Sequence, residues 1–356
     1  MFDNDPARGL PPLIGEQKDI RYFGTDPRSV LNGPATTGMG FWSINPYVGC
    51  AFGCAYCYAR YAHRYAIERL SASNDASVRE ELDALPPWLA FERRIFVKRE
   101  AGAIVRRELR RPARLRALHR DTVVIGTATD PYQPAERRFR ITRGVLEALA
   151  EQSGLSVTII TKSPLVTRDA DLLLRISARS HLSIHVSLIT VDRDLARRLE
   201  PRAPTPEARL RAIARLRALG IEVGVNVMPV LPGITDAPHL LDDLVRAIAA
   251  TDASYLGACA LRLRSTARKR YLPFIEAEFP HLAERYRSTY ARGHSVGDRY
   301  KDGLRTHFRA LCERYGVVFD RYCKSDDDDE ESPDETVGER EPARHDPLAE
   351  QLALRL

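Results

Sequence analysis

The stretch FWSINPYVGCAFGCAYCY, residues 41–58, begins as an apolar strand pattern and continues into three closely spaced cysteines. These cysteines are Cys50, Cys54 and Cys57. Gly49 and Gly53 permit the backbone turns that bring three thiols of one loop to one place. The spacing therefore predicts a metal centre on a loop that follows a strand.

Similar apolar runs, most of them rich in β-branched residues, recur along the 356-residue chain and predict strands buried on both faces. The predicted strands are Phe41–Val48, Thr122–Thr129, Ser156–Ser163, Leu182–Thr190, Glu222–Val230 and Ser254–Leu263. Helical patterns lie between and after them, at Arg137–Gln152, Arg168–Ala178, Pro206–Leu219, Pro238–Thr251, Leu272–Tyr290 and Lys301–Tyr315.

Strands that alternate with helices predict right-handed parallel crossovers and hence an α/β fold. Two arrangements agree with this pattern: an open doubly wound sheet, or a full or partial barrel. In both, functional residues lie at the carboxyl ends of the strands. The unusual residues of this sequence, the cysteines among them, do cluster at or just after the strand patterns.

Composition divides the chain into four parts. Residues 1–40 are rich in Gly and Pro and predict an irregular arm, and residues 41–292 form the α/β core with an Arg-rich insertion at 68–120. Residues 293–324 predict a helical extension. The tail, 325–356, carries 12 acidic and 3 basic residues, which predicts disorder, with weak competition for the basic body as the alternative role.

The sequence indicates a cytoplasmic protein. No stretch approaches the roughly 18 apolar residues of a membrane span, and the first residues lack the pattern of a signal peptide. In a reducing compartment, clustered cysteines are better interpreted as metal ligands than as disulfides. No membrane partner is expected.

The residues alone leave the kind of metal open. A four-iron cluster normally takes four thiolates, so three nearby cysteines would leave one iron without a protein ligand. A structural zinc ion would need a fourth ligand, for which His63 is available. A disulfide would leave one thiol over, and metal-free buried cysteines rarely show this spacing.

The Cys-x3-Cys-x2-Cys run, with an aromatic residue before its last cysteine, resembles the signature of the radical S-adenosylmethionine superfamily. The resemblance covers residues 44–292 and is closest to the spore photoproduct lyase branch, also described as DNA repair photolyase-like. It extends through GTATDPYQPAE (126–136), TIITKS (158–163), HVSLIT (185–190), LEPRAPTPEARL (199–210) and VGVNVMPVLPGITD (223–236).

This resemblance implies a partial six-unit (β/α) barrel and a [4Fe–4S] cluster on the three cysteines. The open iron of the family chelates S-adenosylmethionine, and cleavage of the cofactor gives a 5′-deoxyadenosyl radical that abstracts hydrogen from the substrate. The family also needs an external one-electron reductant of the flavodoxin or ferredoxin type. The substrate of this chain is unknown from the sequence.

The resemblance also implies cofactor contacts by residues that match family positions. Tyr56 and Tyr58 match aromatic positions near the adenine, and Thr129 with Asp130 falls where the family binds the amino group. An Asp-Pro turn after a strand is the alternative for Asp130.

The carboxylate of the cofactor has two candidate partners in the sequence. Lys162 and Ser187 match family positions for this group, whereas Arg202 could instead supply a bidentate fork or form a surface ion pair. Asn226 is a polar residue in an apolar strand, and the ribose hydroxyls are its candidate partner.

This chain departs from the pattern of the branch at one position that matters for the substrate. Spore photoproduct lyase has a hydrogen-donating cysteine shortly before the Thr-Asp pair, but residues 126–130 of this chain contain none, which argues against repair of spore photoproduct itself. Cys259 is a candidate substitute, with a buried structural thiol as the alternative.

Nucleic acid is a candidate partner because residues 98–120 form a dense basic stretch. Its members are Lys98, Arg99, Arg106, Arg107, Arg110, Arg111, Arg114, Arg116 and Arg120. A nucleic-acid-binding protein with a structural metal and no radical chemistry is therefore the alternative function.

Overall fold

A computed structural model of the protein describes residues 11–62, 80–81, 84–291 and 293–319. Its strands, in chain order, are β1 (Leu13–Gln17), β2 (Ile20–Thr25), β3 (Leu31–Asn32), β4 (Trp42–Ile44), β5 (Tyr47–Val48), β6 (Arg94–Lys98), β7 (Val123–Ile125), β8 (Ser156–Thr161), β9 (His181–Ser187), β10 (Glu222–Val230) and β11 (Tyr255–Ala260).

The helices whose bounds are described alternate with these strands over most of the chain. They are α1 (Pro34–Thr37), α2 (Pro87–Arg93), α3 (Ala101–Leu109), α4 (Pro112–Arg120), α5 (Pro134–Phe139), α6 (Ile141–Leu149), α7 (Ala170–Ser177), α8 (Arg193–Leu199), α9 (Pro206–Ala218), α10 (Pro238–Ala249), α11 (Ser265–Glu278), α12 (Ala283–Thr289) and α13 (Asp298–Tyr315). Short 3₁₀ turns span Tyr58–Arg60, Pro164–Asp169 and Pro280–Leu282.

The central sheet has the strand order β11-β10-β9-β8-β7-β4-β3. All neighbours from β4 to β11 are parallel, and β3 joins the edge in the antiparallel sense. Each crossover moves to the next strand in one direction, without the reversal that defines a doubly wound sheet. The predicted α/β fold is confirmed, and its strand order is that of a partial barrel of six parallel strands.

The predicted strand Phe41–Val48 is two strands in the structure. β4 ends at Ile44 in the central sheet, whereas β5 begins at Tyr47 and joins a second sheet with the order β1-β2-β6-β5. Pro46 separates them because it has no N–H to continue the ladder. The chain therefore leaves the barrel just before the cysteine loop and returns to it afterwards.

The prediction of an irregular arm at residues 1–40 is wrong for much of its described part. Residues 13–25 form β1 and β2, and β2 pairs in parallel with β6 of the predicted insertion. Ile20, Tyr22 and Phe23 are buried in the core. These three apolar side chains stabilise β2, and residues 1–10 lie outside the described part.

The predicted helices differ from the structure at Leu272–Tyr290 and at α8. The pattern Leu272–Tyr290 is divided into α11 and α12, because Pro280 disfavours helical geometry at Phe279 before it. α8 was not predicted; Asp192 caps it by accepting hydrogen bonds from two backbone N–H groups at 2.9 Å.

Within the described residues, no helix is both long enough and apolar enough to cross a bilayer. The predicted acidic tail, Cys323 and most of the residues between 63 and 83 lie outside the described part of the chain. The predicted domain boundaries remain predictions.

Candidate metal centre and cofactor site

The three cysteines lie on the loop between β5 and the turn Tyr58–Arg60. Their thiols are free; Cys50 and Cys54 are buried, and Cys57 is partly exposed. The Cys57 N–H donates to the Cys54 carbonyl at 3.3 Å. Burial, together with the smaller effects of Asp130 and Cys57, raises the pKa of the Cys50 thiol to about 12.

Two glycines give the loop its shape. Gly49 has a φ of +86°, and a Cβ there would lie 2.8 Å from the Phe91 carbonyl oxygen. Gly53 has a φ of +66°, and a Cβ there would lie 2.7 Å from Arg202 Nη2. Both positions therefore need glycine, as the sequence predicted from the turns that the loop requires.

The carboxyl end of β7 supports the loop from the barrel side. Thr129 Oγ1 donates to the Gly49 carbonyl at 2.6 Å. Gln133 Nε2 donates to the same carbonyl at 3.1 Å, and its Oε1 accepts from the Ala51 N–H at 2.9 Å. Thr129 is thus tied to the loop backbone, and its contact with a cofactor amino group remains a prediction.

Gln133→Leu is expected to lower the free energy of unfolding by about 2–4 kcal/mol, because it leaves a buried N–H and a buried carbonyl of the loop without this partner. Gln133 is fully buried. Urea unfolding measures the loss, and Gln152→Leu, at a half-buried glutamine after α6, serves as the control. Equal stability of the two variants would show that the amide does not support the loop.

A buried carboxylate lies on the other side of the loop. Glu92 accepts from Arg60 Nη2 at 2.5 Å and from Arg202 Nη2 at 2.9 Å, and Arg270 Nε lies 3.5 Å away. Arg60 and Arg202 also donate to loop carbonyls, those of Cys54 and Ala51, each at 2.7 Å. Arg202 therefore braces the cysteine loop, and its predicted contact with the cofactor carboxylate remains untested.

Asp130 links the ends of two neighbouring strands. Its carboxylate accepts from Thr161 Oγ1 at 2.7 Å, from the Lys162 N–H at 2.7 Å and from the Tyr132 N–H at 2.9 Å. The last bond is the Asp-Pro turn that the sequence offered as the alternative. These bonds occupy most of the carboxylate, so a bond from Asp130 to a cofactor remains a prediction.

Glu200 contacts two of the residues that were predicted to bind the cofactor, Tyr56 and Lys162. It accepts from the Tyr56 hydroxyl and from the Arg209 guanidinium, and Lys162 Nζ lies 3.5 Å from its Oε1. Burial alone would lower the pKa of Lys162, but Glu200 and then Cys54 raise it, so the ammonium stays charged. A fixed cation next to the cysteine loop suits an anionic group such as a carboxylate.

Ser187 and Asn226 lie side by side in the sheet, on β9 and β10. Arg209 Nη1 donates to the Ser187 carbonyl at 3.0 Å, and the Asn226 side chain hydrogen-bonds to His185. Burial lowers the pKa of His185 to about 4, so its imidazole is neutral at pH 7. Ser187 thus ends β9 and Asn226 lies opposite it in the middle of β10, and their cofactor contacts remain predictions.

Tyr58 lies at the mouth of the barrel, with 52% of its side chain exposed. Its hydroxyl donates to the Thr127 carbonyl, and its ring stacks on Tyr61 with centroids 6.5 Å apart. Cys259, partly exposed at the end of β11, lies close enough to influence the pKa of Tyr58. Its role as a hydrogen donor remains a prediction.

Four basic residues of the stretch 98–120 make contacts within the protein. Lys98 is buried and donates to the Asn45 carbonyl at 2.7 Å, Arg99 and Arg106 pair with carboxylates, and Arg114 stacks on Trp42 at 4.6 Å. Binding of phosphate by this stretch remains a prediction.

In the described part of the chain, no three His, Cys, Asp or Glu side chains are arranged to hold a single metal ion. Zinc requires its ligands around one ion, and His63 lies outside the described residues. A four-iron cluster differs because each thiolate binds a different iron atom. Three free thiols on a glycine-shaped loop fit such a cluster.

Comparison with known proteins decides the family. Residues 44–244 match the family described as the radical SAM superfamily, in which SAM is S-adenosylmethionine. The chain belongs to this superfamily. The superfamily consists of enzymes that use S-adenosylmethionine and an iron–sulfur cluster and generally take electrons from an external reductant. The alternative of a nucleic-acid-binding protein without radical chemistry is therefore set aside.

Relatives in this superfamily include uncharacterized proteins of Mycobacterium tuberculosis and Mycobacterium bovis. Each is 36% identical over 295 residues, which cover 82% of this chain and 80% of the relative. A protein of Methanocaldococcus jannaschii is 25% identical over 201 residues, which cover 56% of this chain and 64% of that protein.

Among solved radical SAM structures, a mutant of spore photoproduct lyase matches with a TM-score of 0.57 and 16% identity, over 89% of this chain and 88% of that one. A second mutant, with bound AdoMet and dinucleoside spore photoproduct, matches with a TM-score of 0.56 and 16% identity over 88% and 86%. At this identity the similarity establishes a shared fold.

Proposed function

We propose that this radical SAM enzyme cleaves S-adenosylmethionine reductively at a [4Fe–4S] cluster held by Cys50, Cys54 and Cys57, and that its substrate is a nucleic acid. The first part is carried by one observation: three free thiols share a glycine-shaped loop that is hydrogen-bonded to the segment after the parallel strand β7. When bound, the cluster supplies one electron to S-adenosylmethionine, and 5′-deoxyadenosine results after hydrogen abstraction.

The residues around the cysteine loop form the proposed binding site of S-adenosylmethionine. Lys162 presents a charged ammonium to the cofactor carboxylate, while Glu200 holds both Lys162 and Tyr56 in position. Thr129 and Gln133 keep the loop backbone fixed against β7. Tyr56, buried beside Lys162 with its ring 5.8 Å from Nζ, forms an apolar wall that excludes water from this side.

Anaerobic reconstitution with iron and sulfide, followed by dithionite and S-adenosylmethionine, tests the reaction. The expected result is about four irons per chain, as in a four-iron cluster, and formation of 5′-deoxyadenosine. A colourless protein with one zinc ion, or a fully clustered protein that forms no 5′-deoxyadenosine, would contradict the proposal.

The substrate class is inferred from the rim of the site. Tyr58 and Tyr61 expose 52% and 39% of their side chains and offer two stacked rings. The basic segment RLRSTARK, residues 262–269, follows β11 and leads into α11, which packs against the turn that contains Tyr58. Aromatic rings on which bases can stack, next to cations that can bind phosphates, are typical of proteins that bind single-stranded nucleic acid. Spore photoproduct lyase, which shares this fold, was solved with a dinucleoside.

Tyr61→Ala is expected to weaken binding of a short single-stranded oligonucleotide about 5- to 150-fold, because one stacked base contributes about 1–3 kcal/mol. Fluorescence anisotropy at two salt concentrations measures both the affinity and the phosphate contribution. Tyr315→Ala, on α13, is the matched control. Unchanged binding by Tyr61→Ala would contradict the stacking role of Tyr61. A wild-type protein that binds no oligonucleotide would remove the nucleic acid from the proposal and leave the cleavage reaction standing.

A further inference from the structure

The buried carboxylate of Glu92 is surrounded by positive charge. Arg60, Arg202 and Arg270 converge on it, and Arg60 and Glu92 are almost completely buried. Within the described residues, Asp19 is the other carboxylate paired with this group; it lies 3.7 Å from Arg202 and is half exposed to solvent. The group, which we name the Glu92 cluster, therefore has a net positive charge.

The Glu92 cluster acts directly on the cysteine loop. Two of its guanidiniums donate to the carbonyls of Ala51 and Cys54, and a Cβ on Gly53 would lie 2.8 Å from Glu92 Oε2. Three guanidiniums and two carboxylates therefore lie against this side of the loop, and the positive charges outnumber the negative ones.

We propose that the balance of Arg202 and Arg60 against Glu92 sets the reduction potential of the iron–sulfur cluster, an inference that rests on the function proposed above. Reduction adds one negative charge to a group already ligated by thiolates. A guanidinium at short range stabilises the reduced state, and a carboxylate destabilises it, most strongly where water is excluded. The charges of Lys162 and Glu200, which also act on Cys54, are unchanged in the test below.

Two substitutions that change the charge in opposite directions test the proposal. The cluster is titrated with a reductant in the absence of S-adenosylmethionine, and electron paramagnetic resonance measures its reduced fraction. Arg202→Gln removes a positive charge and is expected to shift the midpoint potential to a more negative value. Glu92→Gln removes a negative charge, keeps an amide oxygen as an acceptor for the arginines, and is expected to shift it to a more positive value. The double variant is expected to return towards the wild type.

Arg198→Gln is the matched control, because this arginine of α8 pairs with Glu278 at 3.1 Å and does not belong to the Glu92 cluster. Its midpoint potential should equal that of the wild type. Shifts of the same sign in both test variants, no shift, or loss of the cluster in both would overturn the proposal and leave the Glu92 cluster a structural support. A wild-type protein that forms no four-iron cluster would instead contradict the proposed function.

Discussion

Cys57→Ala is expected to abolish formation of 5′-deoxyadenosine while the barrel stays folded. Two cysteines cannot hold three irons of a cluster, so the variant should lose iron together with activity. Because the Cys57 side chain is only partly buried, its loss should change the free energy of unfolding by about 1 kcal/mol or less. Iron content, product chromatography and circular dichroism measure the three effects.

Cys312→Ala provides the control for this experiment, since Cys312 is also a free thiol but lies buried on α13. Its loss should lower stability modestly and leave iron content and product formation unchanged. Full product formation by Cys57→Ala would show that the loop does not hold the cluster. Loss of structure in Cys57→Ala would instead show that this cysteine is needed for folding, contrary to the partial exposure of its side chain.

The sequence predicts the barrel well because its strands are buried on both faces. β10 has the bounds predicted for it, Glu222–Val230, and β8 differs from its prediction only at its end. Continuous β-branched runs carry this information locally. The second sheet was missed because β2 pairs with β6 across about 70 residues, a pairing that no local periodicity encodes.

At the candidate site, too, local patterns could be predicted from the sequence and long-range contacts could not. The cysteines stand out because their spacing is local, whereas their supports come from far along the chain. Gln133 lies 82 residues from Ala51, Glu92 lies 110 residues from Arg202, and Glu200 lies 144 residues from Tyr56. Each of these polar residues resembles an ordinary turn or surface residue until the fold buries it. A polar residue next to a strand end was the signal that could have suggested Gln133.

Glu200→Ala is expected to destabilise the protein by about 3–5 kcal/mol, because it leaves the buried Arg209 without its carboxylate. Both side chains are almost fully buried, and Arg209 also donates to the carbonyls of Pro204 and Ser187. The variant removes the partner of Lys162 and Tyr56 as well, so S-adenosylmethionine should bind more weakly to any folded fraction. Urea unfolding measures the first effect, and equilibrium dialysis measures the second.

Glu278→Ala tests whether burial is the cause, because Glu278 also pairs with an arginine, Arg198, but both side chains are exposed. An exposed pair contributes about 0–1 kcal/mol, so this variant should unfold close to the wild type. Glu200→Gln separates charge from hydrogen bonding, since its amide oxygen still accepts from Tyr56 while Arg209 loses its counter-ion. Equal costs for Glu200→Ala and Glu278→Ala would mean that water reaches Arg209 and that Glu200 does not hold the cofactor residues in place.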